Sequence, residues 1–231
     1  MTDKKIHNQD LGAKVELRKK MMENYQPGDT IFVPHCGFGE LMDEVKYPPE
    51  VVIGIDDDRD AVDACREKWP DAKIILSDIK KFNWSEIQNP IGVADIDPYG
   101  SPWLVLENML KKAPTRDKIR VCATDGSTQQ MRRSLRPYNF QTHKFEHKSS
   151  LSALEQYQNY PQHIIKWLEG MGCAAKIIDQ KMKNIMFYFL IEIEVPADIR
   201  EVESVAAGVG GGGMTMEEFD NFKFETDPFF Q

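Results

Sequence analysis

The sequence lacks any apolar run of the roughly 18 residues that a membrane-spanning helix needs, and its start, MTDKKIHNQD, has no apolar stretch typical of a secretory signal. We therefore expect a cytoplasmic protein with no membrane association. Cysteine is also scarce: Cys36, Cys65, Cys122 and Cys173 are widely spaced and form no CxxC pair or Cys/His cluster. This spacing argues against a zinc site and against a disulfide framework, so we expect buried free thiols and no bound metal.

Basic residues are outnumbered by acidic ones, 29 against 37, which gives a net charge of −8 and disfavours a nucleic-acid partner. The charge is unevenly distributed along the chain. Residues 111–150 contain ten basic and three acidic residues, whereas residues 197–231 contain eight acidic and two basic ones. The basic segment is either a surface that binds polyanions or an ordinary solvated surface.

Short apolar segments alternate regularly with segments of helical periodicity. We predict seven strands, at residues 30–33, 51–55, 73–76, 91–96, 120–124, 174–178 and 185–195. We predict five helices, at residues 11–25, 40–45, 59–69, 102–112 and 151–170. The last two strands are joined by a turn at 181–184. This alternation predicts an α/β, Rossmann-like fold: a mostly parallel seven-stranded sheet that ends in an antiparallel hairpin, with helices on both faces.

Three regions follow from the composition along the chain. Residues 1–28 are predicted to be an N-terminal helical segment and residues 29–196 the main domain. Residues 197–231 combine a glycine-rich linker, GVGGGG, with an acidic segment that contains five phenylalanines. The tail is either a solubilising segment or a segment that docks onto a protein partner through its aromatic residues.

A glycine-containing loop follows the first predicted strand. Ligands of doubly wound sheets bind beyond the carboxyl ends of the strands, and glycines there let the backbone approach a ligand closely. His35, Cys36, Gly37 and Gly39 occupy this position and are candidate cofactor contacts. His35 has a second interpretation, as a structural histidine of the loop.

Acidic residues follow the second and third strands. A carboxylate after the second strand can accept hydrogen bonds from both hydroxyls of a ribose, and Asp56 is our first choice, with Asp57 beside it. Asp57 or Asp58 can instead cap the next helix; a metal site is disfavoured because adjacent side chains diverge. Asp78 and Ile79, after the third strand, are candidates to contact an adenine ring, with an ordinary loop as the alternative.

The fourth strand ends in the string DIDPYGSP, which contains Asp97, Pro98 and Tyr99. An acid–Pro–aromatic tripeptide at this place resembles the active-site motif of class I methyltransferases that act on exocyclic amines of bases. The residue types suit that chemistry. An Asp that accepts the amine N–H, with the help of the proline carbonyl, favours the pyramidal nitrogen that attacks a methyl group, and the aromatic ring stacks on the base.

The full string, together with Ala123-Thr124-Asp125 after the fifth strand, resembles the tRNA guanine N2-dimethyltransferase family over residues 50–126. The resemblance implies S-adenosylmethionine as cofactor, Asp97 as the catalytic carboxylate that also borders the cofactor, Pro98 as the carbonyl acceptor and Tyr99 as the stacking residue. Two features depart from that pattern. Val33 and His35 stand where methyltransferases usually have an acid and a glycine, and family members carry a further C-terminal domain that helps to hold tRNA.

The substrate side is predicted from position alone. Arg132, Arg133 and Arg136 follow the fifth strand and are expected to contact phosphates. Trp103 either shapes the base pocket or belongs to the core. We expect an N-methyltransferase of a nucleobase, in RNA rather than DNA. The alternatives are methylation of a protein or small-molecule amine, and a non-catalytic cofactor-binding adaptor.

Overall fold

The computed structural model describes residues 10–148, 150–183 and 186–201. The strands in these residues are β1 (Thr30–Pro34), β2 (Val52–Asp56), β3 (Lys73–Leu76), β4 (Ile91–Ile96), β5 (Thr115–Asp125), β6 (Tyr138–Asn139), β7 (Lys144–Phe145), β8 (Ala174–Lys183) and β9 (Met186–Glu194). The helices are α1 (Leu11–Met22), α2 (Glu40–Val45), α3 (Arg59–Lys68), α4 (Trp103–Lys112), α5 (Ser127–Ser134), α6 (Ser152–Gln158), α7 (Tyr160–Gly170) and α8 (Asp198–Glu201).

Seven of the strands form one sheet in the order β3-β2-β1-β4-β5-β9-β8, and β6 pairs with β7. Strands β1 to β5 are parallel, whereas β9 runs antiparallel to β5 and β8 runs antiparallel to β9. The predicted fold class is therefore confirmed. Because β1 to β5 are parallel, their carboxyl ends lie along one edge of the sheet, which we call the carboxyl edge.

Helices cover both faces of the sheet because residues along each strand alternate between two apolar layers. On β1, Ile31 and Val33 belong to a layer that includes Leu17 and Met21 of α1. Phe32, between them, belongs to the opposite layer, which is built on helices α4 and α7. The predicted N-terminal helical segment thus packs against the sheet of the main domain. All four cysteines are buried free thiols, as predicted.

Three details differ from the sequence predictions. The single helix predicted at 151–170 is wrong: Asn159 leaves helical geometry, and α7 then starts at Tyr160. Pro161 lies in the first turn of α7, where a missing backbone N–H costs nothing. The turn predicted at 181–184 is also wrong, because β8 continues to Lys183. Helix α5 and the β6–β7 hairpin were not predicted, since their segments are polar and short.

The glycine linker and the phenylalanine-rich tail, with the partner proposed for it, lie outside the described residues. Within the described helices, none is both long and apolar enough to span a membrane.

Candidate functional site

The loop after β1 takes left-handed backbone conformations that bring it close to β2. His35, Gly37 and Gly39 have φ angles of 62°, 51° and 73°. A Cβ atom at Gly39 would lie 3.2 Å from the Sγ atom of Cys65, so both its conformation and its surroundings favour glycine. The loop is tied to β2 by a hydrogen bond of 3.0 Å from the Cys36 N–H to the Ile55 carbonyl.

The carboxylate of Asp56 lies at the end of β2 and is fixed by two backbone donors. The Gly37 N–H donates to one oxygen at 2.8 Å, and the Asp58 N–H donates to the other at 3.0 Å. Each carboxylate oxygen can accept a second hydrogen bond, so the group is oriented and still able to accept from a ligand.

Asp56 borders a cavity of about 270 Å³ at the carboxyl edge. Its walls are supplied by the loops after β1, β2 and β3: His35, Ile55, Asp56, Asp57, Ser77, Asp78, Ile79 and Lys80. Five of the predicted cofactor contacts therefore meet in one cavity. Cys36, Gly37, Gly39 and Asp97 do not line it, although the first three form the loop that carries His35.

The neighbouring acids have separate structural tasks. Asp58 caps α3 by accepting hydrogen bonds from the N–H groups of Asp60, at 2.9 Å, and Ala61, at 3.4 Å. Asp78 accepts from the Lys80 N–H at 3.0 Å and so fixes the loop after β3. Asp57 is exposed and faces the cavity. In the described residues, no cluster of three potential ligands could hold a metal ion.

His35 lines this cavity and carries a buried polar atom whose hydrogen-bonding capacity is unsatisfied in the described structure. Its Nδ1 atom is buried and has no hydrogen-bond partner within the described structure. Burial lowers the pKa of His35 despite the nearby charges of Asp56 and Asp57, so the ring is neutral at pH 7. An orphaned nitrogen beside carboxylates suits a ligand that carries both hydrogen-bonding and cationic groups.

The strongest ion pairing at the carboxyl edge involves α1. Asp95 and Asp97 lie on the same face of β4 because they are two residues apart, and α1 covers that face. Lys14 Nζ donates to both oxygens of Asp97, at 2.9 and 2.7 Å. Arg18, one helical turn later, donates through Nε to Asp95 Oδ2 at 2.7 Å, and its second nitrogen lies 3.8 Å from Asp97.

These cations determine the protonation state of Asp97. Burial alone would raise the pKa of this carboxyl, but Arg18 and Lys14 more than offset burial and hold the pKa below its usual value. Asp97 is therefore ionised at neutral pH. An ionised carboxylate with a low pKa is a strong hydrogen-bond acceptor and a poor proton acceptor, so the group is suited to orienting a donor rather than to removing its proton.

Tyr99 stands at the rim of this site with 93% of its surface exposed. Its backbone is held in place by the segment after β5: the Gly126 N–H donates to the Gly100 carbonyl at 3.0 Å. A Cβ atom at Gly126 would lie 3.2 Å from the Tyr99 carbonyl oxygen, so glycine permits this contact. Among the described residues, the Tyr99 ring is thus exposed on a backbone that is fixed by the segment after β5.

Trp103 belongs to the core, which is the second of the two alternatives considered for it. Its side chain is fully buried, and its indole N–H donates to Asp125 Oδ2 at 2.8 Å. Asp125 also accepts from the Tyr160 hydroxyl at 2.5 Å and from Ser127 at 2.8 Å, so it fixes the end of β5. A fully buried indole is unable to stack on a ligand in this conformation, and the role of Asp125 is structural.

The basic segment 111–150 does not form one surface, because β5 carries it across the sheet. Its first half pairs with acids at the far end of the sheet: Arg116 lies 3.1 Å from Asp29, and Lys118 lies 3.4 Å from Glu192. Arg132 and Arg133 of α5 are exposed near the carboxyl edge, where the Arg132 guanidinium lies 6.0 Å from the centre of the Tyr157 ring. Only part of the basic segment therefore lies near the carboxyl edge.

Reasoning from the sequence missed Lys14, Arg18 and Tyr47, whose hydroxyl donates to Asp95 at 3.0 Å. A signal was present in α1, where a lysine and an arginine four residues apart share a face with Leu17 and Met21. A buried face that carries two cations requires buried carboxylates as partners. Another hollow, of about 680 Å³ between α7 and β8, receives no residue from the loops of the carboxyl edge.

No protein-family model matches the chain, and no curated protein matches its sequence. Solved structures do share its architecture. The plantazolicin methyltransferase BpumL, in complex with SAH, is 15% identical with a TM-score of 0.50, over 80% of this chain and 83% of that one.

Two further structures resemble the chain less closely in TM-score. The 23S rRNA methyltransferase ErmE is 13% identical, with a TM-score of 0.49 over 88% of this chain and 80% of its own. The magnesium protoporphyrin IX methyltransferase ChlM from Synechocystis PCC 6803 is 12% identical, with a TM-score of 0.47 over 79% and 83%. At these identities the likeness concerns the fold, and the chain has the Rossmann-like fold of the plantazolicin methyltransferase.

Proposed function

We propose that this chain is an S-adenosylmethionine-dependent N-methyltransferase that acts on the exocyclic amine of a nucleobase, in RNA rather than DNA. The observation that carries the proposal is Asp97: an ionised carboxylate at the end of β4, held by two cations, with the exposed ring of Tyr99 two residues further on. The DIDPYGSP string favours a guanine of tRNA as the acceptor.

The residues around the cavity suit the cofactor. Asp56 would accept hydrogen bonds from the ribose hydroxyls, and Asp78 and Ile79 would contact the adenine ring. His35, with its orphaned Nδ1 atom, would meet a polar group of the methionine moiety. When bound, the cofactor supplies a methyl group on a positively charged sulfur atom, and the acidic walls of the cavity favour a cation of that kind.

The catalytic residues act by orientation. The Asp97 carboxylate would accept one N–H of the amine and the Pro98 carbonyl the other, which frees the nitrogen lone pair for attack along the line of the departing sulfur. The ring of Tyr99 would stack on the base. The low pKa of Asp97 means that the proton released from the methylated amine passes to water rather than staying on this carboxyl. Positioning and electrostatic stabilisation therefore supply most of the rate.

The exposed arginines of α5 would hold the substrate strand. Arg132 and Arg133 are exposed and would contact phosphates without reading bases. Such contacts weaken steeply as salt increases. We therefore expect the affinity for RNA to fall with ionic strength and the affinity for the cofactor to change much less.

The test is transfer of a labelled methyl group from S-adenosylmethionine to separate pools of RNA, DNA and protein. We expect label in RNA, and a loss of about a hundredfold or more in kcat for Asp97→Asn, which keeps the shape of the side chain and loses the charge. Asp71→Asn, an exposed carboxylate outside the site, is the matched control. Full transfer by Asp97→Asn would contradict the proposed role of Asp97.

A second candidate is methylation of a protein or small-molecule amine. It is favoured by the division of the basic segment, which leaves only its second half near the carboxyl edge. Label in the protein pool alone would support it. A protein that binds the cofactor and transfers to none of the pools would support a small-molecule substrate or a non-catalytic adaptor.

A further inference from the structure

Lys14 places a hydrogen-bond donor directly beside Asp97, the carboxylate that is proposed to accept the N–H of the substrate amine. Its ammonium group bridges both oxygens of Asp97, at 2.9 and 2.7 Å, and it comes from α1 rather than from any motif of the carboxyl edge. The side chains of Lys14 and Asp97 are 9% and 14% exposed, so the pair lies at the boundary between the core and the solvent. A substrate amine that reaches Asp97 must therefore also meet Lys14.

We propose, resting on the proposed function, that Lys14 is a specificity residue that recognises the ring nitrogen next to the acceptor amine. In adenine, cytosine and guanine, the exocyclic amine is bonded to a carbon whose neighbour is an unprotonated ring nitrogen. On binding, the amine N–H takes the place of Lys14 at one Asp97 oxygen. The Lys14 N–H displaced from that oxygen donates to the ring nitrogen, while a second N–H stays on the other oxygen.

The exchange conserves hydrogen bonds. Before binding, Lys14 makes two hydrogen bonds to Asp97. Afterwards Lys14 makes one hydrogen bond to Asp97 and one to the base. Asp97 still accepts two hydrogen bonds, one from Lys14 and one from the amine. The flexible stem of lysine and its rotatable ammonium allow this small movement, in contrast to the fixed fork of an arginine.

Arg18 does not fit the same role. It is 1% exposed, and its guanidinium is engaged by Asp95 at 2.7 Å and by the Lys14 carbonyl at 3.1 Å. It acts as a positioning residue for the two carboxylates. A protonated alkylamine fits this arrangement less well, because it has no acceptor to offer Lys14.

The role proposed for Lys14 can be tested with pairs of substrates that differ by a single ring atom. Short single-stranded RNA oligonucleotides would carry one adenine, cytosine or guanine in a uracil background. In a matched series, that base is replaced by 1-deazaadenine, 3-deazacytosine or 3-deazaguanine, which keep the amine and replace the ring nitrogen with C–H. For the base that is methylated, we expect the wild-type protein to prefer the parent by at least tenfold in kcat/KM, since a hydrogen bond to a charged group is lost in the analogue.

The variant Lys14→Met tests which residue reads the ring nitrogen. It should lower kcat/KM for the parent and bring the ratio of parent to analogue close to one, whereas Lys14→Arg should restore part of the preference. A purely structural role for Lys14 would lower both substrates alike and leave the ratio unchanged. Lys111→Met, which removes an exposed lysine paired with Glu107, should change neither quantity.

Two results would overturn the inference while leaving the proposed function intact: equal rates for parent and analogue in the wild-type protein, which needs no variant to fold, or an unchanged ratio in Lys14→Met. Absence of transfer to every parent oligonucleotide, together with absence of label in the RNA pool, would instead overturn the nucleobase function itself, and the inference with it.

Discussion

Replacing Arg18 with methionine should destabilise the protein far more than a typical change of charge. Arg18 is fully buried, and it lies 2.5 Å from Asp95 and 3.8 Å from Asp97. Methionine fills a similar volume but leaves two buried carboxylates with Lys14 as their nearest cation. Breaking a buried ion pair on one side costs about 3–5 kcal/mol, a large share of a total stability of about 5–15 kcal/mol. For a domain of this size, the melting temperature should fall by roughly 6–20 °C.

The effect should depend on pH in a defined direction. In the wild-type protein, the pKa of Asp97 is lower in the folded state, so its contribution is present above the unfolded pKa and is lost as the pH falls through the folded pKa. Without Arg18, burial dominates and the pKa of Asp97 rises. The deficit of Arg18→Met should therefore be largest at neutral pH and should shrink in acid, where Asp97 can be protonated.

Urea unfolding followed by circular dichroism at pH 7 and pH 5 measures both quantities. Lys111→Met is the control, because its exposed pair with Glu107 is worth only about 0.3–0.5 kcal/mol. The double variant Arg18→Met/Asp95→Leu should be more stable than Arg18→Met alone, since it removes the carboxylate left without its closest partner. A loss below about 1 kcal/mol for Arg18→Met, equal at both pH values, would refute the argument.

Three further predictions follow from single contacts. Asp56→Ala should weaken binding of S-adenosylmethionine about tenfold or more by calorimetry without altering the melting temperature by more than a few degrees; unchanged affinity would exclude a ribose contact. Gly39→Ala should destabilise the loop after β1 and weaken the same binding, because its Cβ atom would lie 3.2 Å from Cys65 in a left-handed conformation. A hydrogen bond from Lys176 lowers the pKa of Glu192 to about 2; burial opposes this shift and a hydrogen bond from Arg120 adds to it. The stabilisation that ionised Glu192 contributes should therefore be present at pH 7 and lost from about pH 4.5 towards pH 2. Glu192→Gln should cost about 2 kcal/mol in urea unfolding at pH 7, less than the full shift implies because the lysine is exposed, and nearly nothing at pH 2.

The sheet could be predicted from the sequence because its signals are local. The strands at 73–76 and 91–96 and the helix at 40–45 coincide with the observed elements, since each is a short apolar or amphipathic segment between turn residues. Helix α5 was missed because its stability comes from tertiary contacts: Thr128 and Met131 are fully buried, whereas the segment itself is polar. The break at Asn159 depends on Pro161, a signal present in the sequence but not used.

The candidate site also contains residues that could be predicted from the sequence and a contact that could not. His35, Asp56 and Asp78 could be placed together because parallel strands bring their carboxyl ends to one edge, so strand order is enough to predict the cavity. The pairing of Lys14 with Asp97 spans 83 residues and joins a helix before the first strand to the end of the fourth. No periodicity or spacing encodes such a contact, and it becomes visible only when the packing of α1 is known.

That long-range contact also explains why α1 belongs to the site rather than merely to its surroundings. A carboxylate buried at the end of β4 would become neutral without nearby cations, because desolvation disfavours its charge. Neutral Asp97 would offer an O–H to the substrate and would be a weaker acceptor for the N–H of its amine. Arg18 and Lys14 keep it ionised, and they come from a helix whose apolar residues, Leu17 and Met21, are anchored in the core. The packing of α1 thus sets the charge on which the proposed chemistry depends.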